Sequence, residues 1–366
     1  MRARNNHWPD GRSRVLIQCG AMLEPPIEPM LAKLTSEIPG QGDWIYEPKW
    51  DGFRCLVFFD GSSPYLQSRD SRSLARYFPE VEQGLVEVLP GPMVLDGEIV
   101  IMGEHGLDFE ALQMRLHPAA SRVRKLAAET PAAFVAFDLL AVGEEDLRST
   151  PFAERRRRLE ELFEGVRPPA YLTPATTDPA VARDWFDRFE GAGFDGIIAK
   201  PANGTYQPGV RAMAKIKHLR EADCVVGGFR WAKDAEGQAV GSLLLGLYDG
   251  EGVLHHVGHT SSFKAKEKRE LVALLEPYRT GDESVGFGSG RTPGAPSRWT
   301  QSKDMSWERL RPELVCQVTF DYLQGNRFRH AATFQRWRPD KPPRECTFDQ
   351  LETTVPFELR QVFEAR

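Results

Sequence analysis

The hydrophobic pattern of the chain changes character near Arg220, and that change constrains the fold more than any other feature. Up to that point strand-like apolar runs alternate with amphipathic helical segments. The pattern predicts strand, turn and strand from Trp44 to Tyr65, a helix over 71–89 and a strand over Met93–Met102. An Arg-rich helical stretch over about 108–128, the apolar strand Ala132–Leu140, a helix entered at Pro151, a helix over Pro179–Ala192 and the strand Gly196–Lys200 follow. Beyond Arg220, short strands at 223–231, 241–249 and 252–259 succeed one another between turn signals, with one helix over 263–279 and a strand over Leu314–Tyr322. Short strands of this kind with one helix fit a small, partly open barrel of the OB type, a recurrent nucleic-acid-binding module. The expected class is therefore α+β, antiparallel sheets with helices followed by an OB-fold β-barrel. The 366 residues suffice for two ordinary cores and are too many for one small one.

The boundaries expected from this reading are a disordered extension over 1–21, a first domain over 22–220, the barrel over 221–346 and a tail over 347–366. Met22 could serve as the start as well as Met1. No run approaches the roughly 18 apolar residues of a membrane span. The short patch Val15-Leu16-Ile17 is no signal-peptide core, so a cytoplasmic protein is expected. The five cysteines, Cys19, Cys55, Cys224, Cys316 and Cys346, show no metal-ligand or disulfide spacing. A net charge of −5 argues against a nucleic-acid partner only on average. Residues 327–344 carry six basic side chains against the single acid Asp340, a concentration suited to one face.

The segment with the most chemistry is Glu47-Pro48-Lys49-Trp50-Asp51-Gly52-Phe53-Arg54, a lysine between two strands with an Asp-Gly turn behind it. Alone it reads equally well as a surface hairpin. Its company decides: VLDGEIV (94–100), AFDLL (136–140), DGIIAK (195–200), KIK (215–217) and RWRPDK (336–341) follow in order. Glu98 and Asp195 are acids among apolar strand residues, which favours a pocket. Lys215 and Lys217, two apart, would point to one side of a strand.

Together these segments resemble the motifs of the covalent nucleotidyltransferases, which comprise DNA ligases, RNA ligases and mRNA-capping enzymes. The resemblance implies a nucleotidyltransferase domain of ATP-grasp-like antiparallel sheets with helices, followed by the OB barrel. It implies that Lys49 attacks the α-phosphate of ATP and carries AMP. A free lysine has a pKa near 10.4, so Lys49 would need neighbouring cations, Lys200, Lys215, Lys217 and a metal ion, to be deprotonated. By the same resemblance Lys215 and Lys217 hold the α-phosphate, and Glu98 and Asp195 bind Mg²⁺ (or Mn²⁺) or the ribose. DNA ligases most often have glutamate where this chain has Asp195. Phe137 would stack on the purine, Glu47 would accept from the adenine amino group, and Arg54 and Arg69 would meet ribose and phosphate. Arg336, Arg338 and Lys341 would close over the β,γ-phosphates and then swing away about a hinge near Arg220–Asp223, with 327–330 adding cations.

Within the family the short chain looks most like the small bacterial ATP-dependent ligases, the C-type accessory enzymes and the ligase domain of end-joining enzymes. That implies a monomer sealing nicked duplex DNA in repair, in the bacterial cytoplasm at the nucleoid, with other repair proteins as candidate partners. An RNA ligase or capping-type enzyme is the near alternative, and a non-catalytic OB-fold nucleic-acid-binding protein the distant one. Three features take plain readings: Arg155–Arg158 as a solvated helix face, His255, His256 and His259 as ordinary strand histidines without a carboxylate partner, and 286–297 as a flexible loop.

Overall fold

The computed structural model describes residues 23–104, 106–288, 293, 305–321, 323–351 and 358–364. The extension expected over 1–21, the alternative start at Met22 and most of the 286–297 loop lie outside the described residues.

Through residue 216 the strands are β1 (Leu31–Leu34), β2 (Trp44–Pro48), β3 (Phe53–Phe59), β4 (Pro64–Ser68), β5 (Met93–Gly103), β6 (Ala132–Val142), β7 (Ile197–Pro201) and β8 (Arg211–Ile216). They sort into one sheet of order β1-β8-β7-β2 and a second containing β4-β3-β5-β6, with short strands added at its edges. Among these main strands only β1 and β8 run parallel. β6 is apolar almost throughout because both of its faces are covered. Phe134, Ala136 and Leu139 share a core with Val81, Leu85 and Leu159 of the helices, whereas Val135 and Leu140 face the first sheet's side.

The helices are α1 (Pro79–Val88), α2 (Phe109–Met114), α3 (Ala120–Glu129), α4 (Phe152–Leu162) and α5 (Pro179–Phe189). The helix expected over 71–89 starts late because Pro79 occupies its first turn, after a separate 3₁₀ turn at Ala75–Tyr77. The stretch expected over 108–128 is two helices. Asp108 caps α2 by accepting from Ala111 N at 2.8 Å, and Pro118 lies in the break before α3.

The arginine run of α4 corrects the solvated reading for half its members. Arg155 is fully buried and forks onto Asp138 through Nε at 2.8 Å and Nη2 at 2.9 Å. Arg156 is buried too and donates to Thr173 O at 2.8 Å. Arg157 and Arg158 take the solvent side and pair with Glu154 and Glu145. A helix presents residues one or two apart to different faces, so four consecutive arginines cannot share one environment.

The rest of the chain forms β9 (Arg220–Trp231), β10 (Val240–Tyr248), β11 (Leu254–Thr260), α6 (Ala265–Leu275), β12 (Val315–Phe320) and β13 (Thr333–Trp337). The order β11-β10-β9-β12-β13, with a bridge between Thr260 and Ala332, curls the sheet around one apolar core in the manner of the expected OB barrel. The hinge expected at Arg220–Asp223 falls inside β9, whose residues 220–223 are laddered to Phe320–Gln317. The non-strand link is 217–219 instead. The tail returns to the first core as α7 (Leu359–Glu364), with Phe363 5.4 Å from Trp50 and 4.9 Å from Tyr171 between ring centroids.

Candidate active site

A cavity of about 290 Å³ opens between the two sheets of the first half. Strand pairing builds its floor. Glu47 of β2 lies opposite Ile198 of β7, and Ile198 lies opposite Lys215 of β8, so one row across three strands presents an acid, an apolar group and a cation. Alternation repeats the pattern along each strand: Ile198 and Lys200 from β7, Met213 and Lys215 from β8. The second sheet contributes Arg54 and Glu98, direct partners across β3 and β5, and Phe137 from β6. Lys49 and the exposed Arg69 also line it.

Lys49 sits just past β2, where its backbone N donates to Gly196 O and its carbonyl accepts from Asp195 N. These bonds lock the two motifs together and deliver Lys49 Nζ to Asp195 Oδ2 at 2.6 Å. Gly196 is needed there: it has φ +128° and a Cβ would lie 1.9 Å from Ile216 O. The same Asp195 oxygen takes Lys217 at 2.8 Å, and Lys217 also reaches Asp321 of the barrel at 3.1 Å. Burial would raise the Asp195 carboxyl, but the two lysines outweigh it and hold its pKa below the ordinary value. In this structure Asp195 is thus engaged by two ammonium groups.

Burial pushes the Glu98 carboxyl up to about 7, against the pull of Arg54 and Lys49. Among the described residues no group of three or more His, Cys, Asp or Glu side chains is placed to hold a metal ion. A single carboxylate at a phosphate pocket still fits a divalent ion, because Mg²⁺ is commonly held by one or two carboxylates plus substrate oxygens.

Glu47 is buried, with Oε2 2.8 Å from Lys200 Nζ. Its Oε1 has no hydrogen-bond partner, and Arg156 Nη1 stands off at 3.5 Å. Burial, opposed by Lys200 and Arg156, leaves the carboxyl above its ordinary value. Lys200 also donates to Phe137 O at 2.7 Å and lies 4.8 Å from the Phe137 ring centroid, so it is held by Glu47 and Phe137. Arg54 is likewise engaged. It forks onto Asp96 with two 2.6 Å bonds and its guanidinium lies 4.4 Å from the Phe137 ring centroid. Lys215 makes no ion pair among the described residues, and burial, Lys217 and Lys49 lower its pKa. Of the cations expected to act on Lys49, Lys215 is therefore the one without a countercharge.

Arg336, Arg338 and Lys341 are not brought to this cavity. Arg336 bonds Gln317, Arg338 is shared by Asp223 and Asp340, and Lys341 pairs with Glu345, all within the barrel half. The residues by which the barrel meets the first half lie outside the cavity lining: Arg329, which pairs with Asp51 and has its guanidinium 3.5 Å from the Phe109 ring centroid, and Asp321, which meets Lys217 at 3.1 Å. The sequence alone gave no role to Asp51, Asp321, Arg156, Ile198 or Met213. The last two were visible only as alternate partners of Lys200 and Lys215. The histidine reading needs one change, since His255 Nε2 meets Asp249 at 2.6 Å.

A lysine tethered by an aspartate beside a buried acceptor, between two sheets and followed by an OB barrel, is the arrangement expected of a covalent nucleotidyltransferase. Family comparison narrows the class: residues 29–217 match the ATP dependent DNA ligase domain and 236–341 match the ATP dependent DNA ligase C terminal region. The chain belongs to the ATP-dependent DNA ligases. It is 49% identical to DNA ligase C1 of Mycolicibacterium smegmatis, covering 93% of this chain and 98% of that protein. It is 50% identical to DNA ligase C of Mycobacterium tuberculosis, covering 92% and 97%. A solved Lig E DNA ligase, 19% identical with a TM-score of 0.53 over 85% of this chain and 99% of that one, shares the fold.

Proposed function

We propose that this ATP-dependent DNA ligase works through Lys49 in three steps, with the cavity residues in the following roles. Lys49 Nζ forms a bond to the α-phosphorus of ATP while the α–β phosphoanhydride bond breaks and pyrophosphate leaves. An oxygen of the 5′-phosphate at a nick then takes the AMP, and the N–P bond breaks. The 3′-hydroxyl attacks that activated phosphate, AMP departs and the strand is sealed. Asp195 orients the Lys49 ammonium and keeps Lys217 as countercharge once Lys49 becomes neutral. Lys215 meets the α-phosphate, where its unpaired charge offsets the developing negative charge. Glu47 Oε1 accepts from the adenine amino group and so favours ATP over GTP. Phe137, Ile198 and Met213 bound the purine, with Arg54 and Arg69 toward ribose and phosphate. Glu98 would hold a divalent ion, Mg²⁺ or Mn²⁺, which when bound neutralises phosphate charge.

The observation that carries this reading is the convergence in one cavity of Lys49, Lys215, Glu98 and the unpartnered Glu47 oxygen. Residues 22–220 would form the adenylation domain, 221–346 the OB domain and 347–366 a tail whose helix returns to the first. Arg336, Arg338 and Lys341 would reach the β,γ-phosphates only after rotation about 217–219, in the step that releases pyrophosphate. The enzyme would act as a monomer on nicked duplex DNA in the bacterial cytoplasm, alongside repair proteins.

Incubation with ATP and Mg²⁺ should add one AMP to the intact mass of the protein, and Lys49→Ala should remove that gain. Nicked duplex DNA should then be sealed. Failure of the wild type to acquire AMP, or to arrive already carrying it, would sink the reading. Sealing of nicked RNA in preference to DNA, or labelling by GTP, would move it to the RNA-ligase or capping alternative.

A further inference from the structure

A second cluster lies away from the cavity, on the barrel. Along β11 the histidines at 256 and 259 are three apart and would point to opposite sides of a regular strand. The ladder is irregular there: Leu245 faces Gly258 and Gly246 faces His256, which makes Val257 an extra residue. The bulge returns His256 and His259 to one face. A matching irregularity in β9, where Val226 faces Leu245 and Gly228 faces Leu244, aligns Arg230 with that face. Arg327, on the hairpin Leu323–Phe328, completes the group by placing Nη2 2.9 Å from His256 Nδ1.

The two guanidinium groups of the cluster can only donate. A guanidinium has no acceptor to offer, so His256 Nδ1 must accept and Nε2 must carry the ring proton. That Nε2 is buried without a partner, and so is Arg230 Nε. Burial, together with Arg327, Arg230 and His259, lowers the His256 pKa to about 3; burial, Arg230 and Arg327 lower that of His259. The Arg230 pKa is lowered by burial alone, with no carboxylate acting to raise it. A part-buried guanidinium without a counterion is unfavourable, and an anion rich in acceptors removes the penalty. Arg230, His259 and Arg327 are half-buried, so such an anion can meet them from outside.

We infer that Arg230, His259 and Arg327, with His256 positioning Arg327, form a phosphate-binding site that takes a backbone phosphodiester of the duplex. The proposal rests on the reading of the barrel as a DNA-binding unit and adds to it one defined phosphate contact outside the adenylation cavity. The segment that supplies Arg327 delivers Arg329 to Asp51 two residues later, so this contact and the one between the barrel and the first half are carried together.

The test measures binding of the full-length protein to nicked duplex across a salt series for wild type, Arg230→Gln, His259→Asn and Arg230→Lys, with thermal unfolding as the check on folding. Leaving one phosphate without its cation should make the salt slope shallower by about 0.9. Arg230→Gln should show that change and a several-fold weaker affinity at low salt, while Arg230→Lys keeps most of both. An Arg230→Gln variant that folds and binds with the wild-type slope, or a His259→Asn variant that folds and binds with undiminished affinity, overturns the inference and leaves the ligase reading intact. A wild type that does not bind nicked duplex removes the reading beneath it as well. Inorganic phosphate, followed through the His259 ring resonances, separates the anion sources. Shifts produced by the duplex as well as by phosphate support the backbone assignment, and shifts produced by free phosphate alone overturn it.

Discussion

Asp195 joins Lys49 to Lys217 through a single carboxylate oxygen, at 2.6 Å and 2.8 Å, and Lys217 carries the contact on to Asp321 of the barrel at 3.1 Å. Lys49, the proposed nucleophile, and the second half of the protein therefore share one chain of charges. Loss of the Lys49 charge on AMP transfer would change the balance at Asp195 and thereby strengthen its hold on Lys217.

Asp195→Asn tests this tether directly. A charge-assisted hydrogen bond contributes about 1.5–3 kcal/mol, which corresponds to roughly ten- to a hundredfold in rate. Formation of Lys49–AMP in single turnover should slow by that order, with little change in the ATP concentration needed for half-saturation. An unchanged rate would remove Asp195 from the mechanism.

Asp51 and Arg329 pair across the two halves while Arg336, Arg338 and Lys341 lie away from the cavity. On the proposed rotation about 217–219, the pair would belong to an arrangement other than the one that releases pyrophosphate. Arg329→Ala should therefore slow nick sealing by a pre-adenylylated enzyme much more than it slows acquisition of AMP. Equal losses in the two assays would count against that assignment.

Arg155 and Asp138 form a doubly bonded pair with neither side chain appreciably exposed. Removal of one partner from such a pair costs about 3–5 kcal/mol, because the other charge stays buried alone. Arg155→Met should lower the unfolding midpoint sharply. The double variant Arg155→Met, Asp138→Leu should recover much of the loss, which urea or thermal unfolding would measure.

His256 titrates at about 3 in the folded protein against 6.5 ordinarily. Below pH 6.5 the unfolded chain binds a proton that the folded one refuses. Stability should therefore rise with pH between about 3 and 6.5 and be lost as the medium is acidified through that window. His256→Phe, which can keep the ring contact with Phe287 at this position, should flatten that dependence in thermal unfolding followed from pH 5 to 7. A variant with the same slope as the wild type would point to other groups.

The order of short motifs from Glu47 to Lys341 was legible in the linear sequence because each keeps its chemistry on adjacent residues. The change of period at Arg220 likewise exposed the division between mixed sheets and barrel, since alternation and helical spacing are local properties. What adjacency cannot encode is which charges neutralise one another. Lys200, Lys215 and Lys217 look alike in the sequence, yet among the described residues Lys215 makes no ion pair, whereas Glu47 takes Lys200 and two aspartates take Lys217. Four successive arginines on α4 were divided between core and solvent by the acids that other strands placed beneath them. The lysine and its motifs were determined by the sequence alone; the partners of each charge were decided only by tertiary structure, since Coulomb energy depends on distance in space and on burial and not on separation along the chain.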